Sequence, residues 1–236
     1  MAHNQCILMF VKNPERGMVK SRLASSIGDE IALDLYRCFV GDLMAMMIRT
    51  GYPYVVFFYP PDSRKKIVQW LGDTHILLPQ RGDDLGERIK HAFLTIFSQS
   101  YRHVLLIGSD SPDLPGTLIE EAFLSLRDHG AVIGPSLDGG YYLIGFRADT
   151  FLPEVFDRMP WSTQEVFTRT IDILQEEDFL IHILPQWRDI DTFDDLKALY
   201  VNNRGSSFAG SATMRYIEKN RYRLIITDDM EGVGYE

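Results

Sequence analysis

The residues of this chain that could handle an anion, a metal ion or a proton fall in short loops, most of them directly after an apolar run of strand length. The first loop, KNPERGMVKSRL, spans Lys12 to Leu23. Lysine supplies a point charge and arginine a two-pronged fork, the pair of properties that a diphosphate requires. Pro14 and Gly17 supply a turn that would hold Lys12, Lys20 and Arg22 near the end of a strand. Gly17, Lys20 and Ser21 imitate a Walker loop, but Val19 stands where that motif has its second glycine. No phosphate-cradling helix start is expected after it, which argues against an ATPase. The competing reading is a solvated basic loop.

The second candidate is GSDSPDLP, which follows the apolar run His103–Ile107. An aspartate there, between small residues, can reach a divalent cation that bridges phosphates, and such cations take only one or two protein carboxylates. Asp110 is the expected ligand, while Asp113 is expected to cap the helix announced by Pro115. In GPSLDGGYYLIGF, Gly139 and Gly140 would let backbone approach a ligand and Asp138 would stand at the rim. Asp-Gly between apolar runs is equally a hairpin signal, so Asp138 is either a proton acceptor or a turn residue. QWRDIDTFDDL adds Asp189 and Asp191. Its spacing fails the D-x-D-x-T phosphatase pattern, because the threonine comes one place early, and a second metal carboxylate opposite Asp110 fits better. QRGDDLGERI places Arg81 and Arg88 around Gly82 and Gly86, where they could hold a base, a ribose or a phosphate; Asp83 and Asp84 could instead simply begin a helix. Trp161 in MPWST could stack on a substrate or close the core. The histidines show no metal spacing, so zinc is not expected.

These loops need a scaffold. Apolar runs at Cys6–Val11, Tyr54–Tyr59, His75–Leu78, His103–Ile107, Ala131–Gly134, Tyr141–Phe146 and Phe179–Leu184 read as strands. Helical periodicity is expected over Asp29–Ile48, where Ile31, Leu35, Phe39, Leu43 and Met47 share a face, with Met44, Met46 and Met47 as core filler. Further helices are expected at Ser63–Leu71, Leu85–Phe97, Thr117–Arg127, Thr163–Gln175 and Phe193–Val201. Ser162 with Glu165 and Thr192 with Asp195 read as capping boxes. This alternation predicts an α/β domain with a mostly parallel sheet, whose ligands sit beyond the carboxyl ends of the strands. The pattern ends near residue 203. Residues 1–203 form the expected domain, and 204–236 an extension that crosses the domain as an arm or makes a dimer contact, with a short helix at Met214–Lys219 and a strand at Leu224–Thr227.

Charge narrows the choice of ligand. The chain of 236 residues has a net charge of −9, yet residues 1–22 carry +3 and the remainder −12. A basic island on an acidic protein suits a compact anion and argues against a nucleic acid polymer. With 45% hydrophobic residues a packed core is expected. No apolar run is long enough for a membrane span, and the first residues lack a signal-peptide pattern. Cys6 and Cys38 sit among apolar neighbours and read as reduced thiols, so a cytoplasmic location is expected.

Six ordered stretches, FVKNPERGMVKSRLA, QRGDDLGERI, IGSDSPDLP, GPSLDGGYYLIG, MPWST and RDIDTFDDL, resemble the bacterial glycosyltransferase-A-like proteins of the nucleotide-diphospho-sugar transferase superfamily, in the branch labelled "transferase 1". The resemblance covers roughly residues 5–200. It implies a Rossmann-like three-layer α/β/α sandwich that binds a nucleotide with Mg²⁺ or Mn²⁺. The basic loop is also similar to that of small nucleotidyltransferases. The usual D-x-D metal motif is reduced here to Ser109-Asp110-Ser111, which implies a second ligand from a later loop, Asp191. The resulting expectation is a transferase acting on a nucleotide sugar or a nucleoside triphosphate and a small-molecule acceptor. Lys12, Gly17, Lys20, Arg22, Arg81, Gly86 and Arg88 would bind the nucleotide, and Gly139, Gly140, Tyr141 and Trp161 the acceptor. Asp138 and Lys20 would be catalytic. Glycosyl transfer is the leading expectation, nucleotidyl transfer the second, and a non-catalytic nucleotide-binding regulator the third.

Overall fold

The computed structural model describes residues 4–178, 180–221 and 224. Strand β1 (Gln5–Lys12) is followed by α1 (Ser21–Ile27), α2 (Asp29–Thr50), β2 (Tyr54–Tyr59), α3 (Arg64–Leu71) and β3 (Leu77–Pro79). Then come α4 (Leu85–Phe97), β4 (His103–Ile107), α5 (Gly116–Ser125), β5 (Ala131–Pro135) and β6 (Tyr141–Arg147). The chain continues through α6 (Val166–Glu176), β7 (Ile181–Ile183), α7 (Phe193–Asn203) and α8 (Ala212–Lys219). One seven-stranded sheet results, in the order β3-β2-β1-β4-β6-β5-β7. Only β6 runs antiparallel to its neighbours, β4 and β5. The mostly parallel sheet is therefore as the alternation predicted, and its one reversed strand follows from the hairpin signal at Asp138-Gly139.

Successive side chains of β1 enter opposite layers. Ile7, Met9 and Val11 pack with residues of α2, α3 and α5, whereas Cys6, Leu8 and Phe10 pack with α4 and α6. Burial on both faces explains why these strands read as continuous apolar runs rather than alternating ones. Met44, Met46 and Met47 are buried, as expected of filler. A third cluster joins Leu23, Leu35, Phe39, Leu199 and Tyr200 to Met214 and Ile217 of α8. The short helix expected at 214–219 thus begins at Ala212 and lies against α2 and α7 as part of the packed body. The strand expected at Leu224–Thr227 lies outside the described residues apart from Leu224.

Several local expectations change. A helix does begin directly after the basic loop, at Ser21, because Lys20 takes left-handed backbone (φ 51°, ψ 44°) and turns the chain into α1. The Ser162/Glu165 capping box does not form. Ser162 has φ +65°, unlike the extended backbone of a capping residue, and α6 starts only at Val166. The segment before it is held elsewhere: a Cβ on Gly139 (φ +89°) would fall 2.4 Å from Gln164 Cα, so the β5–β6 turn and residue 164 are packed backbone to backbone. The Thr192/Asp195 box is complete in both directions. Asp113 caps nothing at α5, whose N-cap is Pro115. Its carboxylate accepts instead from Trp187 Nε1 and Asn203 Nδ2, each at 3.0 Å. Strand β3 starts two residues later than its apolar run. No helix among the described residues is long and apolar enough to cross a membrane.

Candidate active site

The sheet order reverses at β1: the chain leaves it for β2 and β3 on one side and returns to β4 on the other. At such a reversal the loops leave in opposite directions and a crevice opens beyond the carboxyl ends of the strands. A cleft of about 760 Å³ lies there, lined by the loops after β1, β4 and β5, the start of α4, residues 161–164 and the segment before α7. Tyr36 of α2 ties the two central strands together at its base. Its hydroxyl accepts from the Lys12 N–H at 2.8 Å and meets Ser109 Oγ at 3.2 Å. Burial pushes its pKa up to about 12, so it stays a neutral donor and acceptor.

Lys20 is the centre of the polar half. Its side chain is only 3% exposed, and Nζ lies 2.5 Å from Asp110 Oδ1 and 2.9 Å from Asp191 Oδ1. Arg22, largely exposed, adds a bond of 2.6 Å to Asp191 Oδ2. Burial alone would drive the ammonium toward neutrality, but the charges and hydrogen bonds of Asp110 and Asp191 outweigh it and hold Lys20 protonated. Such left-handed backbone at a non-glycine residue costs roughly 1–2 kcal/mol, which the ion pairs offset. Asp191 reaches this point because the chain after β7 continues beside the sheet. Ser136 pairs with Trp187 in a bridge, and the Ile190 N–H donates to the Asp110 carbonyl at 2.8 Å.

Asp189 lines the same cleft and stands out electrostatically. Burial first, and then the neighbouring charges of Asp110 and Asp138, raise its pKa to about 7 against the pull of the Ser111 hydrogen bond (2.6 Å) and Lys20. The sequence offered Asp189 only as one of two acids before a capped helix. What marks it is partial burial in the cleft near two other carboxylates, which no local spacing encodes. Asp138 takes part in the turn and stands at the cleft. Its Oδ1 accepts from Ser136 Oγ at 2.5 Å and from the Gly140 N–H at 3.0 Å, shaping the hairpin turn, and the residue also lines the cleft.

The opposite wall is aromatic. The Arg88 guanidinium lies 4.0 Å over the Tyr59 ring, while its Nε and Nη2 donate to the Gly82 and Asp83 carbonyls. Tyr141 and Trp161 meet edge to face at 6.4 Å, and the buried Tyr141 hydroxyl has no hydrogen-bond partner among the described residues. Gln80, unremarked in the sequence, is buried at the cleft floor and donates to the Phe57 carbonyl at 2.9 Å.

Of the expected site residues, Lys12, Lys20, Arg22, Arg88, Asp110, Asp138, Gly140, Tyr141, Trp161 and Asp191 line this one cleft. Gly17, Arg81, Gly86 and Gly139 do not. Gly17 serves a turn at φ +74°, and Gly86 leaves room for the Phe156 carbonyl, which a Cβ would approach to 2.4 Å. Asp84 caps α4 by accepting from the Glu87 N–H, the structural alternative for the acidic pair. The carboxylates of Asp110 and Asp191 are suitable oxygen donors for a hard cation. In this structure the Lys20 ammonium takes the place between them, and among the described residues no three carboxylate, imidazole or thiol groups converge as a ready metal cage.

The sheet order, the cleft at its reversal and the flanking helix layers define the nucleotide-diphospho-sugar transferase fold. The chain is similar to a protein from Desulfovibrio desulfuricans G20 that is provisionally named a nucleotide-diphospho-sugar transferase. The identity is 41% over 94% of this chain and 97% of that one, with a TM-score of 0.91. It belongs to the family described as "Uncharacterized protein conserved in bacteria (DUF2064)", whose model matches residues 43–163. At the level of fold alone it is similar to a cytidylyltransferase from Leptospira borgpetersenii (17% identity, TM-score 0.55, covering 99% of this chain and 100% of that one). It is likewise similar to Rv0371C of Mycobacterium tuberculosis H37Rv in complex with manganese (12% identity, TM-score 0.51, covering 83% and 96%). No curated protein matches it.

Proposed function

We propose that the cleft takes a nucleotide-activated donor with Mg²⁺ or Mn²⁺ and that the protein is a nucleotide-diphospho-sugar glycosyltransferase. The observation that carries this reading is the gathering of Lys20, Arg22, Asp110 and Asp191 at the point where the sheet order reverses. The name of the Desulfovibrio relative supports the same class of chemistry. Lys12, Lys20 and Arg22 would neutralise the departing diphosphate, a task for preorganised charge in a partly dry site. Asp110 and Asp191 would hold the metal, which supplies Lewis-acid stabilisation of that leaving group when bound. Because Lys20 now bridges these two carboxylates, it would turn from them toward the phosphates as the cation enters. Asp138, at the mouth, would accept the proton of an acceptor hydroxyl, with Gly140, Tyr141 and Trp161 shaping the acceptor side and Arg88 the nucleoside side.

A second reading, nucleotidyl transfer, draws on the fold shared with the Leptospira cytidylyltransferase. There an acceptor phosphate would attack the α-phosphorus and pyrophosphate would leave. Both readings use the same charges, and the released product separates them. Thermal-shift screening of nucleotide sugars and nucleoside triphosphates with and without Mn²⁺ should raise the melting temperature for one ligand class by mass action. Lys20→Met should weaken that ligand by about 1.5–3 kcal/mol, the worth of a charged hydrogen bond. No stabilisation by any nucleotide, with metal or without, would overturn both readings. Pyrophosphate rather than nucleoside diphosphate as product would replace the first by the second.

A further inference from the structure

At the other edge of the sheet the acidic surface is interrupted by a cluster of cations. Arg102 and His103 stand at the start of β4, Arg147 at the end of β6, and Arg127 just past α5. With Asp149 they line a second, shallow cavity of about 480 Å³. The sheet itself assembles the cluster. His103 and Arg147 are direct partners in the antiparallel β4–β6 register, and the Ala148 N–H donates to the Arg102 carbonyl at 2.8 Å. Strand β4 runs from this cavity to the cleft, so its five residues separate the two by roughly 16 Å at about 3.3 Å each.

The charges do not cancel within the cavity. Asp149 is committed to Arg147, taking Nε at 3.0 Å and Nη2 at 2.5 Å. Arg102 and Arg127 have no acidic side chain within ion-pair distance among the described residues. Three guanidinium groups therefore share the cavity lining with one carboxylate, Asp128 acting on Arg147 from outside that lining, on a chain whose net charge is −9. Burial and the cations Arg147 and Arg127 hold the His103 pKa below its usual value, against the pull of Asp149. The cavity lining carries more positive than negative side chains on a chain whose net charge is negative. A helix end accounts for a cation at Arg127, since the dipole there is negative. It does not account for Arg102, or for two forks left without partners beside a pinned third.

We propose that this cavity is a second anion site, distinct from the transferase cleft, that takes a phosphate-class oxyanion. Guanidinium forks match the oxygen spacing of phosphate and grip it bidentately. Arg147 is preorganised by Asp149, whereas Arg102 and Arg127 are free to close on a ligand from two sides. The imidazole of His103, which also lines the cavity, adds a further donor. Inorganic phosphate and pyrophosphate are the simplest members of the class, and a nucleotide would enter by the same groups.

The test uses calorimetric titration of pyrophosphate into the full chain carrying Lys20→Met and Arg22→Ala, so that the cleft contributes least. This background should bind one pyrophosphate, with a change in the His103 imidazole resonances. Adding Arg102→Ala and Arg127→Ala should weaken that binding roughly tenfold or more while leaving the melting temperature of the ligand-free protein unchanged, since both side chains are exposed. Equal affinity with and without the two arginines would overturn the proposal, as would the absence of pyrophosphate binding in the background. Phosphate and a nucleoside diphosphate as parallel titrants would then rank the ligands. None of these results depends on whether the cleft transfers sugars or nucleotides.

Discussion

At the residue scale, the cleft concentrates charge that opposes folding. Asp189 is half-buried beside Asp110 and Asp138, and its carboxyl pKa is pushed up to about 7 in the folded chain from about 3.9 when unfolded. A raised carboxyl pKa means that the folded state holds the proton more tightly. Stability should therefore fall as pH rises from about 4 to 7, by up to roughly 1.4 kcal/mol per unit, and level off above. Asp189→Asn keeps an oxygen for the Ser111 hydroxyl but cannot ionise. Urea unfolding in the presence of a chelator should show the variant gaining on wild type across that window, by on the order of 2–4 kcal/mol at pH 8. Parallel stability profiles for the two proteins would show that folding does not raise the Asp189 pKa.

At the scale of elements, the β5–β6 hairpin decides what Asp138 can be. One carboxylate oxygen is spent on the turn, held by Ser136 Oγ and the Gly140 N–H. An asparagine can present the same oxygen to both donors, but it is not a base. Asp138→Asn should thus retain the hairpin and nearly normal nucleotide affinity, while turnover with an acceptor falls by about 10²–10⁴. Turnover within a few-fold of wild type would leave Asp138 as a turn residue. The same hairpin also explains the packing of residue 164 against Gly139, which lays the segment before α6 along the cleft. Along that segment α6 starts only at Val166, and Trp161 meets Tyr141 edge to face.

At the scale of the whole molecule, residues 204–221 are tied into the body. Asp42 of α2 accepts from the Ala212 and Thr213 N–H groups, both at 2.8 Å, and with the N-cap Ser211, whose hydroxyl takes the Met214 N–H, satisfies the first donors of α8. Tyr200 donates to Glu218 at 2.5 Å and Tyr216 to Asp34 at 3.2 Å. Met214 and Ile217 cover the outer faces of α2 and α7. Asp42→Ala should therefore cost on the order of 1–2 kcal/mol of global stability, since two helix-start donors lose their acceptor. Denaturation followed by circular dichroism and by tyrosine fluorescence should show one shifted, coincident transition. A separate early transition would mean that α8 folds independently of the sheet.

Much of this architecture is legible in the sequence. Continuous apolar runs separated by helical periodicity dictate a parallel sheet buried on both faces, because each run can hide its residues only between two layers of helices. Asp-Gly announced the hairpin, and Thr192 with Asp195 announced α7, because those signals act within four residues. The loops bearing Lys20, Asp110, Asp138 and Asp191 were placed at the carboxyl edge by the same alternation. Tertiary structure alone decided the rest. The bridge of Lys20 to Asp110 and Asp191, the raised pKa of Asp189, the role of Tyr36 between β1 and β4, and the diversion of Asp113 to Trp187 and Asn203 all join residues far apart in the chain. The Ser162 capping signal lost for a related reason: packing of residue 164 on Gly139 outweighed a local preference of about 1 kcal/mol. Spacing along a chain encodes what lies within one turn or one strand, while distance, burial and charge between loops exist only after the sheet has brought them to one edge.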